Sequence, residues 1–187
     1  MTCFLYIRNG KERKNMSKAL TVYYSRKGEN YFGGEIRSIE KGNTERVAEY
    51  IHNAVGGDLF ELETVREYAK NYQECTNEAM DEKRSNARPA LKKIPESIDE
   101  YDTIFVGYPN WWGTAPMAVF TFLDSFDFTG KTIAPFCTNE GSGLGTSEKD
   151  IQKECPKATV VKGLSVRGSD AASSEATAAS WAVKTIG

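Results

Sequence analysis

Three short stretches of the chain combine residue types that suit a flat, phosphorylated ligand. The first is Ser25-Arg26-Lys27-Gly28, resumed after an interruption by Gly42-Asn43-Thr44. It offers hydroxyl and amide side chains and, where a helix begins, free backbone N–H groups of the kind that hold phosphate. The second is Tyr108-Pro109-Asn110-Trp111-Trp112-Gly113-Thr114, in which two adjacent indoles present large flat faces at low entropic cost. The third is Thr138-Asn139-Glu140-Gly141-Ser142-Gly143-Leu144-Gly145, whose glycines let backbone approach a flat ring closely. Taken singly, each has a plainer reading: a turn, a packed aromatic pair, a flexible link. Together they describe a phosphate donor, an aromatic wall and a close-fitting edge.

Competing chemistries fail on spacing or composition. No GxxxxGK[ST] occurs, so a P-loop is absent. Gly141-Ser142-Gly143-Leu144-Gly145-Thr146 misses GxGxxG at its last position, and Glu140 stands where a GxSxG elbow around Ser142 needs glycine. The one histidine, His52, falls on the polar flank of a helix and reads as solvated rather than as a base. The four cysteines are dispersed without a CxxC pair, which argues against a metal knuckle and for free thiols in a reducing cytosol. Twenty-four basic against 26 acidic residues give a net charge of −2, the wrong sign for a nucleic-acid binder that neutralises phosphates. No apolar run approaches the ~18 residues of a membrane span, so neither nucleic acid nor membrane is an expected partner and the expected location is cytoplasmic.

Strands alternate with helices from Ala19 onward. Ala19–Tyr24, Asp58–Glu63, Thr103–Tyr108, Thr132–Cys137 and Ala158–Val166 read as strands, Thr103–Tyr108 being a continuous apolar run suited to a sheet centre. Val47, Ala48, Ile51, Ala54 and Val55 share one helical face, with Asn43 or Thr44 to cap its start and Gly56-Gly57 to end it. Further helices are expected over 115–126, 147–155 and 171–186, and one within the polar stretch 64–100. The fold class is therefore α/β, a doubly wound five-stranded parallel sheet with helices on both faces. The three stretches fall at the carboxyl ends of the first, third and fourth strands, where open α/β sheets bind ligands. Residues 29–42 interrupt the first strand–helix link, either as a solvent-exposed hairpin or as a flap over a ligand edge. Residues 1–17 read as a dispensable arm and 18–187 as the domain.

From Ala19 to the C-terminus the chain resembles the flavodoxins and flavodoxin-like FMN proteins. The resemblance rests on Ser25-Arg26 with Gly42-Asn43-Thr44, on the 108–117 stretch, on Pro135-Phe136-Cys137-Thr138 with Gly141-Ser142-Gly143, and on Gly163-Leu164-Ser165-Val166-Arg167-Gly168. The tryptophan stretch is the most specific. It implies a strand order 2-1-3-4-5 with FMN at the switch point. Ser25, Arg26, Gly42, Asn43 and Thr44 would then hold the phosphate. Pro109, Asn110, Trp111, Trp112, Gly113 and Thr114 would lie along the ring, with one tryptophan stacked on it. Thr138, Asn139, Glu140, Gly141, Ser142 and Gly143 would line the other side. The resemblance also implies a peptide flip at Gly113 on one-electron reduction, and leaves open whether Tyr31 or Phe32 folds back onto the ring. The implied function is electron transfer with unidentified redox partner proteins. The alternative is an FMN-dependent NAD(P)H oxidoreductase reducing a quinone or similar acceptor. The strongly acidic docking face of a carrier is missing, since Glu29, Glu35 and Glu140 mix with Arg26, Lys27, Arg37 and Lys41.

Overall fold

The computed structural model describes residues 18–187; the expected arm, residues 1–17, lies outside the described residues. The central sheet runs β4 (Asp58–Glu61), β1 (Ala19–Tyr23), β5 (Thr103–Pro109), β6 (Thr132–Asn139) and then an edge, all parallel. That is the expected 2-1-3-4-5 order, once the two hairpin strands within residues 28–39 are set aside. β1 and β5 are buried along their length, as strands covered by helices on both faces must be. Alternation splits their side chains between two cores. Leu20, Val22, Ile104, Val106 and Tyr108 pack under α3 (Met117–Asp124) and α4 (Ser147–Glu154). Ala19, Tyr23 and Phe105 pack under α1 (Asn43–Val55) and α5 (Glu175–Ile186).

Several boundaries differ from the sequence reading. The last strand is two short ones: β7 (Thr159–Val160) pairs with Thr132–Ile133, and β8 (Leu164–Arg167) with Phe136–Asn139. The break faces Pro135, which has no N–H to give a neighbouring strand. The final helix begins at Glu175 rather than Ala171, because Gly168–Ser173 forms a 3₁₀ turn first. Neither Asn43 nor Thr44 caps α1; Gly42 is the cap residue, and Ser25 supplies the missing acceptor by taking the N–H of Glu45 at 3.1 Å. Residues 28–39 form an antiparallel hairpin, β2 (Gly28–Phe32) and β3 (Glu35–Ile39), turned by Gly33-Gly34 at φ 54° and 115°. The helix in the polar stretch is α2 (Tyr72–Ser85), capped by Asn71, whose side chain accepts the N–H of Glu74 at 3.1 Å. Among the described residues no helix is long and apolar enough to cross a membrane.

Candidate cofactor site

A cavity of about 290 Å³ opens at the carboxyl ends of β1, β5 and β6. Its floor is the start of α1. A helix leaves its first N–H groups without intrahelical partners. Here Ser25 takes that of Glu45 and the Gly42 carbonyl that of Arg46, so the N–H groups of Asn43 and Thr44 remain for a ligand. The buried Thr44 and Thr138 hydroxyls meet at 2.8 Å and join this floor to β6. Ser25 itself lies beneath, outside the lining, and Gly42 is held against it: a methyl at position 42 would fall 2.0 Å from Ser25 Oγ.

One wall comes from the loop after β5. Pro109, Asn110 and Trp111 line the cavity. The Asn110 side chain accepts from Gly113 N at 2.8 Å and donates to the Gly143 carbonyl at 2.8 Å, so one amide shapes its own loop and fastens it to the next. Trp111 is held edge-on by Tyr24 and Tyr68, with ring centroids 5.4 and 5.0 Å away. Burial pushes both tyrosine hydroxyls above their ordinary pKa, so they stay neutral beside it. Trp112, Gly113 and Thr114 do not line this cavity. Trp112 turns away onto α2, where its indole N–H donates to the Thr76 carbonyl at 2.8 Å. The Gly113 carbonyl accepts from Thr146 N at 2.7 Å and Thr146 Oγ1 at 3.2 Å, so a peptide flip there would break both bonds. The Thr114 hydroxyl is spent on Asp150 at 2.6 Å.

The opposite wall is Thr138, Asn139, Glu140 and Ser142. Asn139 Oδ1 accepts from Gly141 N and Gly143 N, both at 2.9 Å, so these glycines shape the loop without lining the cavity. Glu140 accepts Ser169 N at 3.0 Å, which brings Gly168 to the cavity; a methyl there would fall 2.6 Å from both Asn43 Nδ2 and Glu140 Oε1.

The hairpin closes the remaining side. Asn30 and Tyr31 line the cavity from β2, and Tyr72 from α2, with Tyr31 and Tyr72 stacked at 6.4 Å and 26°. Arg26 also lines it, but Nε donates to the Glu29 carbonyl and Nη2 to those of Ala69 and Lys70. It therefore ties the hairpin to the segment leading into α2. Phe32 lies instead under Arg37, 6.0 Å from its guanidinium carbon. Sequence reasoning did not place Asn30, Tyr72 or Gly168 among the site residues. For Tyr72 one signal was present, an aromatic residue directly after a helix-capping asparagine in a stretch otherwise polar.

The flavodoxin sequence profile matches residues 37–184, and the chain belongs to that family. The matching crystal structures include two named as flavoproteins. One, from Bacteroides uniformis, is 31% identical with a TM-score of 0.73, covering 90% of this chain and 98% of that one. Another, from Bacteroides eggerthii, is 30% identical with a TM-score of 0.70, over 91% and 98%. A flavoprotein of Lactobacillus acidophilus in complex with FMN shares the fold at 19% identity and a TM-score of 0.60, over 86% and 99%. Curated proteins gave no match.

Proposed function

We propose that the protein binds FMN at the carboxyl ends of β1, β5 and β6 and works as an electron-transfer flavoprotein. The observation that carries this is a single cavity whose lining runs from the N–H end of α1 to the Trp111 indole. The donor set fits the group. Asn43 and Thr44 would take the phosphate through backbone N–H groups, helped by the helix dipole. Arg26 adds positive charge at the rim while two of its nitrogens hold backbone carbonyls. Trp111 and the Asn139–Ser142 loop flank the space left for a flat ring. Bound FMN would supply the redox chemistry, and the chain would set its potential. An apolar wall such as Trp111 disfavours negative charge beside it. A contact worth ~1.4 kcal/mol to one redox state alone moves a one-electron potential by about 59 mV.

A second reading is an FMN-dependent oxidoreductase that takes hydride from NAD(P)H and passes electrons to a quinone or similar acceptor. It is favoured by one observation, a further cavity of about 340 Å³ adjoining the first. The visible spectrum of protein purified with added FMN, followed by anaerobic titration, tests both. Flavin bands that bleach in two separate one-electron stages with dithionite, and ignore NADH and NADPH, support the carrier. Direct bleaching by either nicotinamide selects the oxidoreductase. A protein that takes up no FMN refutes both.

A further inference from the structure

We infer that a third cavity, where β1 and β4 end, binds a small neutral polyol, a single saturated ring bearing several hydroxyl groups. It holds about 250 Å³ and shares only Arg26 with the proposed flavin cavity. That volume is below the range of drug-sized ligands and suits one ring.

Two hydroxyls point to a ligand. Tyr24 is 7% exposed and Thr64 6%, and both line this cavity and not the flavin one. Tyr24 meets Trp111 and Tyr68 through its ring, and Thr64 meets Leu91 through its backbone. Among the described residues neither hydroxyl has a hydrogen-bond partner. Nor is either sealed in the core, where the unpartnered side-chain atoms are Thr21 Oγ1, Glu45 Oε2 and His52 Nδ1. Hydroxyls placed this deep are normally paired. These two open on the one space that their side chains share.

The charges set the class of the occupant. Arg26, Lys27 and Lys92 line the cavity with Glu61, Glu63 and Glu67, three of each sign. Lys92 lies 3.3 Å from Glu63 and 3.7 Å from Glu67, and the Arg26 guanidinium is spent on backbone carbonyls. Lys27 closes no ion pair among the described residues, yet its charge reaches Glu61, whose carboxyl pKa burial raises and Lys27 lowers. An anion here would meet three carboxylates and a cation three basic groups, so neither is favoured. A hydroxyl both donates and accepts, so a polyol can give to Glu61 and take from Lys27, Tyr24 or Thr64. Tyr68 completes the site. Its own hydroxyl donates to Glu82 at 2.5 Å, which leaves its ring to cover the C–H face of the occupant. None of this rests on the FMN reading.

Titration with myo-inositol, followed in two-dimensional amide spectra of the apo and the FMN-loaded protein, tests the inference. This probe has no aldehyde to condense with Lys27 or Lys92. Saturable shifts are expected in both forms at residues 24–27 and 61–64, and none at Asn110 or Asn139. Thr64→Val removes one hydroxyl at constant shape. It should weaken myo-inositol about fivefold, the worth of one hydrogen bond, and leave FMN uptake unchanged. Tyr24→Phe should weaken it by a similar factor. Thr64→Ser keeps the hydroxyl and should bind as the parent does, which separates a lost contact from a disturbed fold. Cyclohexanol, with one hydroxyl, and glycine betaine, a zwitterion with none, should not bind. Absence of saturable shifts, unchanged affinity in Thr64→Val and Tyr24→Phe, or failure of Thr64→Ser to bind would overturn the inference. Equal affinity for cyclohexanol or betaine would do so too, as would displacement by FMN, which would place the polyol in the flavin cavity. If the protein takes up no FMN, the flavin reading falls while the apo titration still decides this one.

Discussion

Alanine at position 42 should disturb the α1 end of the site by a route readable from three atoms. Gly42 has φ −65°, which any residue tolerates, so the cost is steric. Its new methyl would lie 2.0 Å from Ser25 Oγ and 2.9 Å from the Arg26 carbonyl oxygen. Ser25 can rotate away, but only by releasing the Glu45 N–H that it accepts at 3.1 Å. Loss of such a cap costs about 1 kcal/mol. The Arg26 carbonyl is backbone and must move with its loop, which brings Gly42→Ala into the overpacking range of about 1–3 kcal/mol. For a domain of this size that is a fall in Tm of roughly 2–12 °C. Ser25→Ala alone should cost about 1 kcal/mol, the cap only. Because the cap can be lost once, the double variant should be about 1 kcal/mol more stable than the two single losses added together. Urea unfolding of the apo protein measures all three. A Gly42→Ala protein as stable as the parent, or strict additivity in the double variant, refutes the reasoning.

Other perturbations reach other parts of the molecule. Arg26→Lys keeps the charge but loses the fork that spans the Glu29, Ala69 and Lys70 carbonyls. Amide exchange across β2, β3 and the start of α2 should quicken while β1 and β5 stay protected; unchanged exchange would deny Arg26 its tying role. The Tyr101 hydroxyl donates to Asp58 at 2.7 Å, and that bond, with Lys18 at 3.3 Å, holds the carboxyl below its ordinary pKa. A lowered carboxyl pKa gives stability above the unfolded value that is lost as pH falls through the folded one. Asp58→Asn should therefore flatten the acid limb of the stability profile, and a limb of undiminished slope would assign it elsewhere. Burial raises the thiols of Cys75, Cys137 and Cys155 to about 11, 12 and 12. In a Cys3→Ser background, Ellman's reagent at pH 7.5 should find no thiol until denaturant is added, then three; prompt labelling of the native protein would contradict that burial.

What was legible in the sequence followed burial and period. β5 announced itself because a strand covered on both faces must be apolar throughout, and α1 because Val47, Ala48 and Ile51 repeat at helical spacing. The three chemical stretches lie where strands end, so topology alone brought Asn43, Trp111 and Glu140 together. Tyr72 was not legible in the same way. It heads a helix in which only Cys75 and Ala79 are buried, too few for a clear apolar face. Its position depends on hydrogen bonds from Arg26 and to Glu29, side chains more than forty residues away. The two tryptophans, equivalent as letters, take different partners across a turn with φ 56° and 83° at Trp112 and Gly113: Trp111 packs edge-on against Tyr24 and Tyr68, while the Trp112 indole N–H bonds Thr76 on α2.

The hairpin between β1 and α1 is part of the site's own wall. Here Glu29 accepts the first N–H of α2, Arg26 binds the two carbonyls preceding Asn71, and Tyr31 stacks on Tyr72. Hairpin and helix are thus one wall, fixed by charge-assisted bonds that are stronger than neutral ones. The insertion that parts Ser25-Arg26 from Gly42-Asn43-Thr44 in sequence is therefore tied to α2 as one wall of the cavity.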